Sequence, residues 1–226
     1  MRHIFPPKES DEPSQFTYWK ERHPNAKYYR FKDSRLKRIL KESLIARQKK
    51  LCCYCESRIS AENSHIEHIE PQMGGLSEKS MLFSNMAASC IRDPKKHDDS
   101  FEPTTFAELV ESDLHCGHAR GTNAVISPYD PKCENLFKYS FSGEISVADG
   151  LSKADAEIAE SSIHYLRLNV PALVLLRKIA MFETIRMLND GIAPEDILRE
   201  ARGALPPFYS SAKTAIKLFK EQHKES

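Results

Sequence analysis

Four cysteines constrain this chain more than any other feature. Cys52 and Cys55 form a C-x-x-C pair, and Cys90 and Cys116 follow at a distance. A thiolate is a soft ligand suited to tetrahedral zinc, and two cysteines separated by two residues bind one ion from a tight turn. With Cys90 and Cys116 as the second pair, the fold must bring the ends of a long segment together around one ion. In zinc-finger peptides such an ion supplies on the order of 10 kcal/mol of folding free energy. The C-x-x-C pair also suits a redox motif, but that reading needs a βαβ setting that the sequence does not offer; inert thiols are the other alternative. Cys53 could replace Cys52 in part, and Cys133 looks like a spare.

The 226 residues suffice for one fair-sized domain or two small ones. The longest apolar run, Val170 to Met187, is broken by Arg177, Lys178, Glu183 and Arg186, which argues against a bilayer span. The segment from Met1 to Pro7 lacks the apolar stretch of a secretory signal. Six cysteines in such a chain point to metal ligands and free thiols in a reducing, cytoplasmic setting. The net charge of +1 hides an asymmetry, because residues 1–50 hold 14 Lys/Arg against 6 Asp/Glu. A positive region of this kind suits a polyanion partner, although a solvated helix face explains it equally well.

Three regions follow: a basic N-terminal arm and helix (1–50), a core (51–126) with an insertion at 91–114, and a hairpin followed by a helical region (127–226). The arm is expected to be irregular or partly helical, packing Phe16, Trp19, Tyr28, Tyr29 and Phe31 onto the body. From Ser34, a plausible N-cap, Leu36, Ile39, Leu40, Leu44 and Ile45 recur at helical spacing to about Lys50. Lys37, Arg38 and Lys41 lie on the other face and are candidate nucleic-acid contacts, as is Arg120. Strand-like pieces are expected around Cys52–Ile59 and Ser64–Ile69, a break at Gly74-Gly75, a helical stretch over Met81–Ala88, and a short helix near Phe106, Leu109 and Val110. Leu136–Phe141 and Glu144–Val147 read as a hairpin turning at Ser142-Gly143. Helices are expected from Ser152 capped with Asp155, from Asn169-Pro171 to Gly191, over Pro194–Arg202, and over Pro207–Gln222.

The catalytic candidates sit between the cysteines. Hydrolysing a phosphodiester requires a base to activate water and a divalent ion to stabilise the developing charge. In His65-Ile66-Glu67-His68-Ile69-Glu70-Pro71, His68 is the best base and Glu67 offers a hard oxygen ligand. Asn85 would bond the other imidazole nitrogen or the backbone beside it, and His118 would complete the ion site. His97 and His115 compete with His118, and spacing alone does not choose among them. On a strand His65 shares a face with Glu67, which makes it at most a supporting or nucleic-acid-facing group.

The Cys52–Glu56 pair, the His65–Pro71 run, Asn85 to Cys90 and Cys116-Gly117-His118 together resemble HNH endonucleases of ββα-metal fold. Pro128-Tyr129-Asp130-Pro131 and the Gly143-Glu144-Ile145 hairpin make the chain similar to the PtuB-like HNH effectors of Septu and retron-linked antiphage systems. The resemblance implies His68 as base, Asn85 as the middle motif residue, and Glu67 and His118 on a divalent ion, Mg2+ or Mn2+. It implies structural zinc on Cys52, Cys55, Cys90 and Cys116, and a partner ATPase, PtuA-like, with nucleic acid, DNA or RNA, as substrate. The chain departs from the compact pattern in its long insertion and in carrying Glu where Asp or His is commoner. The expected fold class is α+β and mostly helical: an embedded ββα-metal finger with a helical C-terminal region. A zinc-stapled subunit that binds nucleic acid or the ATPase without catalysis is the alternative, and a homo-oligomer is left open.

Overall fold

The computed structural model describes residues 1–72, 78–91 and 114–223. In the arm, helix α1 (Ser14–Arg22) buries Phe16, which with Trp19 and Phe31 forms an aromatic cluster. Helix α2 (Ser34–Arg47) buries Leu36, Leu40, Leu44 and Ile45, the stripe that its spacing dictates. Its cap is Asp33 rather than Ser34. The Asp33 carboxylate accepts the Leu36 amide at 2.9 Å, satisfying one of the unpaired N–H groups of the first turn.

The sheet beneath α2 differs from expectation. Strand β1 (Ser64–His68) pairs antiparallel with β2 (Met86–Cys90), so the alanine-rich run at 86–88 is strand, not helix. Only short 3-10 turns, Glu78–Met81 and Phe83–Asn85, precede it. Alanine favours helix in isolation, but here the small side chains of Ala87 and Ala88, on opposite faces of the strand, are both completely buried, and α2 packs on the pair. The Cys52–Ile59 stretch is not a strand either. It is a turn closed by a single bridge between Leu51 and Arg58, entered through Lys49 and Lys50 and left through Glu56, all three at positive φ.

Gln48 closes the outer edge of β2. Its side-chain amide accepts from the Ala88 amide at 2.6 Å and donates to the Ala88 and Leu51 carbonyls, each at 2.8 Å. One side chain thus stands in for a third strand. Helix α3 (Gly117–Arg120) is a single turn, and it completes a ββα arrangement with the two strands. The expected break at Gly74-Gly75, His97 and the short helix near Phe106 lie outside the described residues.

Downstream, strands β3 (Phe137–Tyr139) and β4 (Ile145–Val147) form the expected hairpin. Gly143 turns it at φ 91°, and a Cβ there would lie 2.0 Å from the Val174 carbonyl oxygen. Helix α4 (Lys153–Tyr165) starts at Ser152, whose hydroxyl accepts the Asp155 amide at 3.1 Å. Helix α5 (Pro171–Asn189) has Pro171 in its first turn. Helix α6 is limited to Pro194–Ile197, shorter than the sequence suggests, and α7 (Tyr209–Gln222) packs against α5. Arg177 on α5, almost wholly buried, donates to the carbonyls of Gly143 and Leu168, each at 2.6 Å.

These helices are tied directly to the cysteine region. The Cys116 amide donates to the Leu166 carbonyl at 2.8 Å, and the Phe208 amide to the Glu56 carbonyl at 2.9 Å. A single apolar core runs through all three regions of the chain. The assembly is α+β, and among the described residues no helix is long and apolar enough to cross a membrane.

The role of Gln48 is testable. Gln48→Leu keeps the volume but leaves the buried Ala88 amide unpaired, which should cost about 2 kcal/mol. The thermal midpoint should then fall by roughly 4–8 °C. An unchanged midpoint would show that the β2 edge does not depend on this side chain.

Candidate active site and metal centre

The thiols of Cys52, Cys55, Cys90 and Cys116 all lie within 4.8 Å of one another and are buried. They come from three separate pieces of backbone. Cys52 and Cys55 sit on the turn after α2, Cys90 ends β2, and Cys116 precedes α3. The Cys55 and Cys90 sulfurs are 3.8 Å apart, which matches the roughly 3.8 Å edge of a tetrahedron with 2.3 Å zinc–sulfur bonds. Burial opposes ionisation of Cys52, yet hydrogen bonds from the Cys116, Cys53, Cys55 and Cys90 thiols hold it well below the ordinary thiol value. Burial and the Cys52, Cys55 and Cys90 thiols push Cys116 well above it. The set therefore does not shed all its protons alone, and a dication bound by the four sulfurs would replace them. Cys133 is also buried but lies elsewhere, near the Met1 and Pro128 carbonyls.

Other donors surround the sulfurs. The Cys90 amide donates to Cys52 at 3.3 Å, and the Ser57 hydroxyl lies 3.1 Å from Cys55. His115, wholly buried, places Nδ1 3.1 Å from the Cys116 sulfur and 3.5 Å from Cys90. It therefore belongs to the thiol side and not beside Glu67. Ser89 joins the two sides: its hydroxyl accepts from the Gly117 amide at 3.2 Å and stands 3.7 Å from the Cys52 sulfur. Cys116 itself sits at φ 58°, ψ −136°, a region that a residue with a Cβ occupies only when its surroundings enforce it.

Across β1 lies the second group. Glu67 Oε1 accepts from Arg120 Nη1 at 2.8 Å and from the Tyr54 hydroxyl at 3.0 Å. Burial pushes the Glu67 carboxyl above its usual value, and Arg120 and Tyr54 pull it back. Its other oxygen, Oε2, is 3.4 Å from His65 Nε2, and the His65 ring packs against that of His118 at 4.2 Å between centroids, tilted by 38°. Burial and the neighbouring His118 lower His65 to about 4, so the ring is neutral. His118 thus touches His65, which in turn faces Glu67. Among the described residues, however, the four thiols are the only set of three or more His, Cys, Asp or Glu ligand atoms within 4.8 Å of one another.

His68 is held at both nitrogens. Nε2 lies 2.9 Å from the Ser80 carbonyl, which only accepts, so the proton resides on Nε2. Nδ1 is left as the acceptor, 3.0 Å from the Gln72 amide nitrogen. The Tyr28 ring packs edge-on at 4.4 Å. Burial lowers the His68 pKa, partly offset by the bond to Ser80, which favours a neutral ring at neutral pH. Asn85 makes no bond to this imidazole. It accepts from the Glu70 amide at 2.8 Å and donates to the Glu70 and Lys79 carbonyls, at 3.1 and 3.2 Å, bracketing the His68–Ser80 contact with the backbone on either side. A cleft of about 240 Å³ lined by Glu67, His68, Gln72 and Thr122 opens here.

Of the expected polyanion contacts, Arg120 is placed differently. Its guanidinium is buried, bonded to Glu67, Tyr54 and the carbonyls of His68 and Ile69. It is the counter-charge of Glu67 and is out of reach of a phosphate. Lys37, Arg38 and Lys41 line a groove of about 490 Å³ whose lining also includes His65. Arg38 is paired there with Glu42 and Glu62, Lys41 donates to the Ser64 carbonyl, and Lys37 lies over the Tyr28 ring. Tyr54, Gln72 and Ser80 had no signal in the sequence, because ordinary residue types took their roles through tertiary contact alone.

Two outcomes check this geometry. Arg120→Ala strands a buried carboxylate and should cost about 3–5 kcal/mol of stability, measured by denaturant unfolding; a variant as stable as the parent would return Arg120 to the surface role. Cys116→Ser should reduce bound zinc from one per chain to well below one, measured by metal analysis after gel filtration. Full retention of zinc would remove Cys116 from the ligand set.

No family model matches the chain. Over 157 residues it is 29% identical to the protein named "Retron Vc95 putative HNH endonuclease" from Vibrio cholerae serotype O1 biovar El Tor, covering 68% of this chain and 69% of that one. This similarity, together with the thiol cluster and the paired strands, supports a nuclease of the HNH kind.

Proposed function

We propose that the chain is a metal-dependent HNH endonuclease that hydrolyses phosphodiester bonds, with His68 as its general base. The carrying observation is the fixed tautomer of His68: a proton held on Nε2 by the Ser80 carbonyl, and an accepting Nδ1 at the cleft. A neutral imidazole so oriented takes a proton from water once the Gln72 amide gives way to it. Asn85 positions the base by bonding the backbone around it. Glu67 and His118 are assigned to a divalent ion, Mg2+ or Mn2+, and Cys52, Cys55, Cys90 and Cys116 to structural zinc. When bound, the divalent ion supplies charge stabilisation on the phosphate and the leaving oxygen.

The groove along α2 offers a path for the substrate. Lys37, Arg38 and Lys41 border it, as does His65, which faces Glu67. Double- or single-stranded DNA and RNA backbones all fit this description. The resemblance to PtuB-like effectors and the retron attribution of the Vibrio relative support a role as effector of an antiphage system coupled to a PtuA-like ATPase in the cytoplasm.

The test is incubation of the zinc-loaded chain, with and without a PtuA-like ATPase, against DNA and total RNA in Mg2+ or Mn2+. Cleavage stopped by EDTA is expected. His68→Ala should lower it by roughly 10²–10⁴-fold while zinc content and far-ultraviolet dichroism stay unchanged. Because burial holds His68 below its ordinary 6.5, its protonated, inactive form appears only at lower pH, and the acid limb of the rate profile should fall below that value. A His68 variant that cuts like the parent would overturn the assignment, and metal-independent binding without cleavage would favour the regulatory-subunit reading.

A further inference from the structure

Core packing accounts for only part of the aromatic content of the arm. Phe16 and Phe31 are fully buried, and Trp19, half-buried, packs on both. Two planar side chains stay outside. Tyr18 is 60% exposed, and His23, the residue that ends α1, is exposed as well. Their neighbours follow from helical spacing, since Tyr18 lies one turn from Arg22 and Trp19 one turn from His23.

The rings form a series with an open end. Phe16 and Trp19 are within 8° of parallel with centroids 6.4 Å apart, and His23 stacks on Trp19 at 4.3 Å and 17°. The His23 ring is fixed there because its Nδ1 donates to the Trp19 carbonyl at 2.8 Å. Among the described residues no further ring packs on His23. Beside it, Arg22 Nη1 donates to the Tyr18 hydroxyl at 3.3 Å, and its guanidinium lies 5.6 Å from the centre of the Tyr18 ring. Tyr18, Trp19, Arg22 and His23 line a cleft of about 340 Å³ together with Arg35 and Ile39 of α2. The one acid on that lining, Asp33, is engaged as the cap of α2.

We infer that this cleft seats an unpaired nucleobase of a single-stranded nucleic acid, stacked on the open end of the Phe16–Trp19–His23 series, with Arg22 and Arg35 drawing its phosphates. Every base has a flat π face, and binding of single strands without sequence preference combines such platforms with cationic side chains. Inside a duplex the neighbouring bases cover both faces, so only an unpaired base has one to offer. The charge agrees. Arg35 has no ion-pair partner among the described residues, and residues 1–50 hold 14 Lys/Arg against 6 Asp/Glu. Helix α2 also lends Lys37, Arg38 and Lys41 to the basic groove, so one helix borders both the backbone track and the base seat. The inference rests on the nuclease reading for its purpose and narrows the substrate to single strands or unpaired segments.

Trp19 is the only tryptophan of the chain, so its fluorescence reports on this cleft. The full chain, with zinc in place and no added Mg2+ or Mn2+, is titrated with a short single strand, the corresponding duplex, an abasic strand of equal length, and adenosine monophosphate. Affinities are read by anisotropy and competition. The strand with bases should quench Trp19 and bind more tightly than the abasic strand. His23→Ala should weaken that strand roughly 5–100-fold and leave the abasic strand's affinity unchanged, as should Tyr18→Ala in lesser degree. Equal affinity for the two strands, equal quenching by the duplex, adenosine monophosphate bound as tightly as the strand, or an unaltered affinity in folded His23→Ala would each overturn the inference. Because the strands are compared on the parent, the result does not depend on a variant folding. The two readings also fail separately. Base-dependent binding without any cleavage would sustain the seat and sink the nuclease. Cleavage without base-dependent quenching would do the reverse.

Discussion

The convergence of four thiols is the constraint on which the rest of the structure hangs. Helix α2 ends in a turn with three residues at positive φ, β2 has an open edge, and Cys116 occupies a backbone region hostile to side chains. None of these would persist on its own local preferences. A dication shared by the four sulfurs would hold them together and offset the charge of several thiolates in a buried setting. The amide of Cys90, the Ser57 hydroxyl and the His115 imidazole reduce that charge further from outside.

From that clamp the geometry passes to the reactive side chains by short steps. Ser89 lies between the Cys52 sulfur and the Gly117 amide, so the position of the α3 turn depends on the cluster. That turn carries His118 on one side and Arg120 on another. Arg120 in turn fixes Glu67 and the carbonyls of His68 and Ile69, the residues at the end of β1. The C-terminal helices contribute from behind, since Leu166 at the end of α4 accepts the Cys116 amide. The split second pair of cysteines is thus brought to the first with help from the helical region, which supplies a constraint that short spacing would otherwise give.

Much of this can be read from the residues. The sulfur spacing, the stripe of α2, the Ser152 cap and the Gly143 hairpin carry strong local signals, and each has its counterpart in the fold. What cannot be read locally is set by partners distant in the chain. The Ala87-Ala88 run has helical propensity and becomes a strand because β1 and Gln48 occupy its two edges. Arg120 looks like a surface cation and is buried because Glu67 needs a counter-charge. His65 reads as secondary to His68 on motif grounds, yet the strand alternation that places it on the face of Glu67 also brings it under His118. Asn85 secures the loop at Glu70 and Lys79 rather than the imidazole itself, a distinction that no residue type announces.

The account stands or falls on whether the sulfur clamp sets the orientation of the imidazole at the end of β1. Long-range proton–nitrogen correlation spectra of the full chain, recorded with zinc bound and after its removal by a chelator, address this directly. With zinc, His68 should show a single neutral tautomer protonated at Nε2 near neutral pH, and without zinc its two nitrogens should average. A tautomer that averages while zinc is bound, or one that survives zinc removal unchanged, would contradict the account.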